Sequence, residues 1–67
     1  MSNNIGKRIK KVREGLELSQ RDLANIIGSD NKHVSTWECG KKIPSVENLI
    51  KLCQVLDVSA DYLLGID

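Results

Sequence analysis

The chain offers little with which to make or break covalent bonds. It holds one histidine, His33, and two cysteines, Cys39 and Cys53, fourteen positions apart. These form neither a CxxC redox pair nor, with a single imidazole, a set of zinc ligands, so no metal site is expected and both are read as reduced thiols. Cys39 reads as a chemically silent helix end before a redox-sensitive thiol. No nucleophile has an evident base, no glycine-rich phosphate loop is present, and 67 residues are too few to enclose a substrate pocket. An enzyme, a cofactor and a small-molecule ligand are therefore not expected. The remaining chemistry is noncovalent. Asn31, Lys32, Ser35 and Thr36 gather hydrogen-bonding side chains within six positions, and Lys41 and Lys42 follow close behind. Donors, acceptors and positive charge concentrated in this way suit an anionic partner with a patterned polar edge.

The net charge of +1 argues weakly against such a partner, but its distribution argues for one. Residues 1–44 carry nine Lys/Arg against five Asp/Glu, a net of +4, whereas residues 45–67 carry Lys51 against four acids, a net of −3. The field is polarised, so the first part can face phosphates while the second faces away. Lys7, Arg8, Lys10 and Lys11 form a basic helix face that reads equally as solvated surface or as a phosphate-facing side.

The elements that must carry these residues are punctuated clearly. Hydrophobic residues make up 40% of the chain and recur at helical spacing, so one folded all-α domain over 1–67 is expected. Ile5, Ile9 and Val12 predict a first helix that stops at Gly15, with the glycine in the left-handed conformation. Ser19 and Asp22 form a capping box, with Leu18 and Leu23 at the staple positions, for a second helix over Gln20 to Ile27. Gly28 breaks it, and Ser29 or Asp30 caps a third helix with Val34 and Trp37 on its apolar side and its end at Gly40. Pro44 prevents extension through the basic loop. Ser45 caps a fourth helix with a broad stripe of Val46, Leu49, Ile50, Leu52, Cys53 and Leu56, expected to have the largest burial in the domain. Ser59 caps a short fifth helix carrying Tyr62, Leu63 and Leu64 before Gly65. No apolar stretch approaches membrane-spanning length and no targeting segment is evident, so a cytoplasmic location is expected.

The second and third helices meet the demands of a DNA-reading helix-turn-helix: two helices, a very short turn, and the second exposed along one side while the first holds it. Ala24 lets the crossing helix approach, Gly28 occupies the turn, and Val34 with Trp37 leaves Asn31, Lys32, Ser35 and Thr36 on the free surface. Here the sequence resembles the Xre, Cro and phage-repressor family, through LSQRDLANIIG (18–28), HVSTWECGKKIPS (33–45) and LIKLCQVLDVSADYLL (49–64). The resemblance covers nearly the whole chain and implies a lambda-repressor-like bundle of five helices.

It also implies roles. The family's base-reading positions fall on Asn31, Lys32 and Thr36, with Ser35 near the groove. Asn pairs bidentately with adenine, and Lys donates to guanine O6 or N7. Phosphate contacts fall on Gln20, Lys41 and Lys42, and His33 is read as lying near DNA. A family ion pair between the first helix and the end of the third falls on Arg13 and Glu38. Two positions depart from the pattern. Asp30 stands where Ser or Thr is usual, so its carboxylate must cap the helix or accept from a cytosine amino group if it is not to be repelled by phosphate. Cys39 replaces a frequent Asn. The expected partner is double-stranded DNA near a palindrome, bound by a homodimer that pairs through Tyr62, Leu63, Ile66 and the end of the fourth helix. The competing expectation is an antitoxin or anti-repressor that uses the same fold to hold a protein.

Overall fold

Four of the five helices in the computed structural model, which describes residues 4–66, begin at a side chain that accepts from a first-turn amide. The order is α1 (Ile5–Gly15), α2 (Gln20–Ile27), α3 (Asn31–Glu38), α4 (Val46–Leu56) and α5 (Ala60–Leu64), with no strand among the described residues. Ser19, Ser45 and Ser59 cap α2, α4 and α5, and Asp30 rather than Ser29 caps α3. The α2 cap is a complete capping box: Asp22 N–H donates to Ser19 Oγ and Ser19 N–H donates to the Asp22 carboxylate, each at 2.9 Å. Hydrogen bonding to Ser19, from its backbone amide foremost and then its side chain, holds the Asp22 carboxyl below its ordinary range.

The end of α1 differs from the expectation. Gly15 is the last helical residue, and the left-handed residue is Glu17, at φ 61°. The reason lies in how the turn closes: Leu18 N–H donates to the Arg13 carbonyl and Glu17 N–H to that of Glu14, so the reversal falls two residues beyond the glycine.

The core is formed by Ile5 and Ile9 of α1, Leu23, Ala24 and Ile27 of α2, Val34 and Trp37 of α3, Leu52 and Leu56 of α4, and Leu63 of α5. The α4 stripe does not bury as expected. Only Leu52 and Leu56 are fully covered, Leu49 and Cys53 are half-buried, and Val46 and Ile50 remain 75% and 54% exposed. The apolar stripe of α4 is wider than the surface that α1, α2 and α5 offer it, so its edge faces solvent. Burial instead concentrates where α1 and α2 meet α3. Partial burial pushes the Cys53 thiol up, and both cysteines are free. Leu63, expected on an exposed pairing patch, is wholly buried, because α5 turns it inward against the other helices. Tyr62 is half-buried with the Arg8 guanidinium 5.8 Å from its ring centroid, which ties part of the basic face of α1 to α5.

Candidate nucleic-acid interface

Three residues, Gly28, Ser29 and Asp30, join α2 to α3. Gly28 adopts φ 69° and ψ 33°, a left-handed conformation that costs glycine nothing and closes α2 through its amide to the carbonyls of Ala24 and Asn25. Ser29 N–H reaches back to the Ala24 carbonyl at 2.8 Å. Asp30 then returns to extended backbone, and its carboxylate accepts from Lys32 N–H at 2.8 Å. The left-handed Gly28 at the end of α2 and the Asp30 cap of α3 therefore set the crossing of the two helices.

The inner side of α3 is held from three directions. Val34 is wholly buried and Trp37 nearly so, against Leu23, Ala24 and Ile27 of α2. Gly6 of α1 supplies the second contact. A Cβ there would collide with the Trp37 carbonyl, so α1 crosses α3 backbone to backbone with no room for a side chain. The third is the expected ion pair. Arg13 Nε donates to Glu38 Oε2 at 2.7 Å and Arg13 Nη2 to Oε1 at 3.0 Å, a bidentate arrangement with side chains only 9% and 4% exposed. Hydrogen bonding to Glu38 raises the Arg13 pKa further, against the opposing effect of burial. Arg13 Nη1 also donates to the Leu18 carbonyl at 2.7 Å, and Gln20 Nε2 donates to Glu38 Oε1 at 3.0 Å. The Arg13–Glu38 pair thus links α1, the α1–α2 turn, the start of α2 and the end of α3.

The outer side is different. Asn31 and Lys32 are exposed, Ser35 and Thr36 are half-buried, and the side chains of Asn31, Lys32 and Ser35 make no hydrogen bond among the described residues. Thr36 Oγ1 donates to the Lys32 carbonyl at 2.7 Å, so what it offers outward is an acceptor oxygen and a methyl group. The four residues lie on one surface of α3, opposite Val34 and Trp37. Lys41 and Lys42 are exposed in the loop that follows, and the buried Pro44 anchors its far end. His33 lies at the border: its ring stacks on Trp37 at 6.4 Å between centroids, and its Nδ1 is 3.0 Å from Ser29 Oγ.

Two features escape a reading of spacing. Gly6 carries no turn signal because it works inside a helix, through close approach. The Gln20–Glu38 bond spans eighteen residues, so no local pattern announces it. The Ser29–His33 bond, in contrast, is at helical spacing, and it forms because Asp30 caps α3 and leaves the Ser29 hydroxyl available.

Comparison with known proteins agrees with this geometry. The chain is similar to the HTH-type transcriptional regulator ImmR of Bacillus subtilis, with 34% identity over 64 residues, covering 96% of this chain and 50% of that protein. It is 38% identical over 60 residues to repressor protein C2 of Salmonella phage P22, covering 90% of this chain and 28% of the repressor. The crystal structure of that P22 c2 repressor protein in complex with a synthetic operator superposes with a TM-score of 0.89, at 38% identity, over 94% of this chain and 96% of that one. The antitoxin PezA of Streptococcus pneumoniae is 35% identical over 63 residues, covering 94% of this chain and 40% of the antitoxin. The chain therefore spans half or less of the length of these curated relatives. No helix among the described residues is long and apolar enough to cross a membrane. A helix-turn-helix family model (HTH_3) matches residues 9–63, and the chain belongs to that family, the Xre-type helix-turn-helix domains.

Proposed function

We propose that this chain binds double-stranded operator DNA as a homodimer and represses transcription, with α3 in the major groove. The observation that carries the reading is the unpaired polar surface of α3, held at a set angle by the buried Arg13–Glu38 pair. Asn31, Lys32, Ser35 and Thr36 address base edges, and the bidentate options of Asn and Lys supply discrimination of about 1–3 kcal/mol each. Lys41 and Lys42 contact phosphates, as do Gln20 and the amides at the start of α2. With Nδ1 beside Ser29 Oγ, His33 has Nε2 free for a phosphate oxygen. The similarity to a repressor solved with its operator supports the same docking.

Two recognition helices about 34 Å apart engage successive major-groove faces of a near-palindrome. For pairing, Leu64 and Ile66 are exposed at the C-terminal end, and on α4 the exposed apolar residues, Val46 and Ile50, lie at its start rather than its end. Sedimentation with a two-half-site duplex tests this part: a 2:1 complex is expected, and a protein that stays monomeric overturns the homodimer.

DNA binding itself is tested by the salt dependence of affinity for duplexes selected from a random pool. Replacing Lys41 or Lys42 by Ala is expected to weaken binding to all sequences alike and to lower the salt slope by about one per lysine. The likeness to an antitoxin favours one other reading, in which the fold chiefly holds a protein partner. That reading expects no salt-dependent binding to any duplex.

A further inference from the structure

We propose that Asp30 is a specificity-determining residue that accepts a hydrogen bond from a cytosine amino group in each half-site. This rests on the reading of α3 as the major-groove helix and adds to it a residue and a base. Asp30 is exposed, and its capping bond to Lys32 N–H uses Oδ1 alone. Oδ2 has no partner among the described residues. The cap fixes the backbone at φ −98° and ψ 142° and holds the carboxylate at the helix end, beside Asn31. The free oxygen is thus set in place before any DNA arrives.

Capping does not by itself call for a charge, because Ser, Thr or Asn caps a helix comparably well. The helix dipole favours a negative group at this end and offsets part of its repulsion by phosphates. A carboxylate accepts and cannot donate, so phosphate oxygens are closed to it as partners. The donors a duplex presents in the major groove are the amino groups of cytosine and adenine. Adenine sets its N7 acceptor beside N6, which suits an amide and opposes a second carboxylate oxygen. Cytosine presents N4 with no acceptor beside it on its own edge. The choice between the two therefore falls to cytosine. Three successive side chains then differ in kind: Asp30 accepts only, Asn31 donates and accepts, and Lys32 donates only. A C·G pair offers the cytosine amino group to the first and guanine O6 and N7 to the third.

The test is selection of duplexes from a random pool by the full chain and by Asp30→Ser and Asp30→Asn, both of which keep a capping side chain. The wild-type chain is expected to enrich cytosine at one position of each half-site. Asp30→Ser should lose that preference, by about 5- to 150-fold in relative affinity, with the rest of the site unchanged. Asp30→Asn should move the preference at that position toward adenine. Identical sites with an undiminished cytosine for all three proteins would overturn the role of Asp30 and leave the α3 reading intact. A wild-type site that ignores Asn31→Ala, or no enriched site at all, would overturn both.

Discussion

On the inner side of α3, Val34, Trp37 and Glu38 are each held by several neighbours; on the outer side, Asn31, Lys32 and Ser35 have side chains with no partner in the protein. The same eight-residue helix thus carries a face packed and ion-paired within the protein and a face on which the side chains of Asn31, Lys32 and Ser35 are left open. Buried polar side-chain atoms without partners are costly, and none occurs among the described residues. Exposed ones cost nothing while water serves them and become useful when a patterned edge replaces the water. The contrast implies that stability and recognition are separable by substitution, although they share one helix.

The sharpest test of that separation is Glu38→Ala. It strands the Arg13 guanidinium and removes the partner of Gln20, and loss of one member of a buried pair costs about 3–5 kcal/mol. A domain of this length has a total stability of about 3–10 kcal/mol, so thermal or urea unfolding should show a largely unfolded or severely weakened protein. An unchanged melting temperature would break the comparison at its stronger end. Gly6→Ala should act next, by forcing α1 away from the Trp37 carbonyl, at a cost of about 1–3 kcal/mol read from the urea midpoint. It should lower affinity only in proportion to the unfolded fraction.

The outer face should behave in the opposite way. Asn31→Ala and Lys32→Ala are expected to change stability by less than about 0.5 kcal/mol while each weakening binding to a selected site by about 1–3 kcal/mol. Calorimetric melting beside fluorescence anisotropy on the same preparations checks both halves. A large stability loss in either variant would mean that the outer face is not free.

The smallest effect concerns the capping box that starts α2. Because the Ser19 amide and hydroxyl lower the Asp22 pKa below its ordinary 3.8, the folded state favours the ionised form. The contribution is present above about pH 4 and fades as pH falls through the folded-state value. The stability gap between wild type and Asp22→Asn should therefore be visible at neutral pH and close in acid. A gap that stays constant down to pH about 2 would show that ionisation plays no part.

How much of this was open to a reading of residues depends on the range over which each residue acts. Ser19, Asp22, Gly28, Ser45 and Ser59 act within one turn of chain, and their roles follow from local hydrogen bonding, so the starts of α2, α4 and α5 and the break between α2 and α3 are legible directly. The alternation of Val34 and Trp37 with Asn31, Lys32, Ser35 and Thr36 likewise sorts α3 into two faces by periodicity alone. The Arg13–Glu38 pair came from family resemblance, since nothing local joins residues twenty-five apart. Only packing decided the rest. Which edge of the broad α4 stripe stays uncovered, that Leu63 turns inward, and that Gly6 must lack a side chain all depend on how closely neighbouring helices approach. The turn after α1 reversed at Glu17 rather than Gly15 because the closing bond to Arg13 set its length. Sequence by itself determined where the capped helices α2, α4 and α5 begin and which residues of α3 are free to meet a partner. The tertiary structure decided how rigidly that face is presented, because a bidentate buried pair and a glycine crossing exist only once distant segments meet.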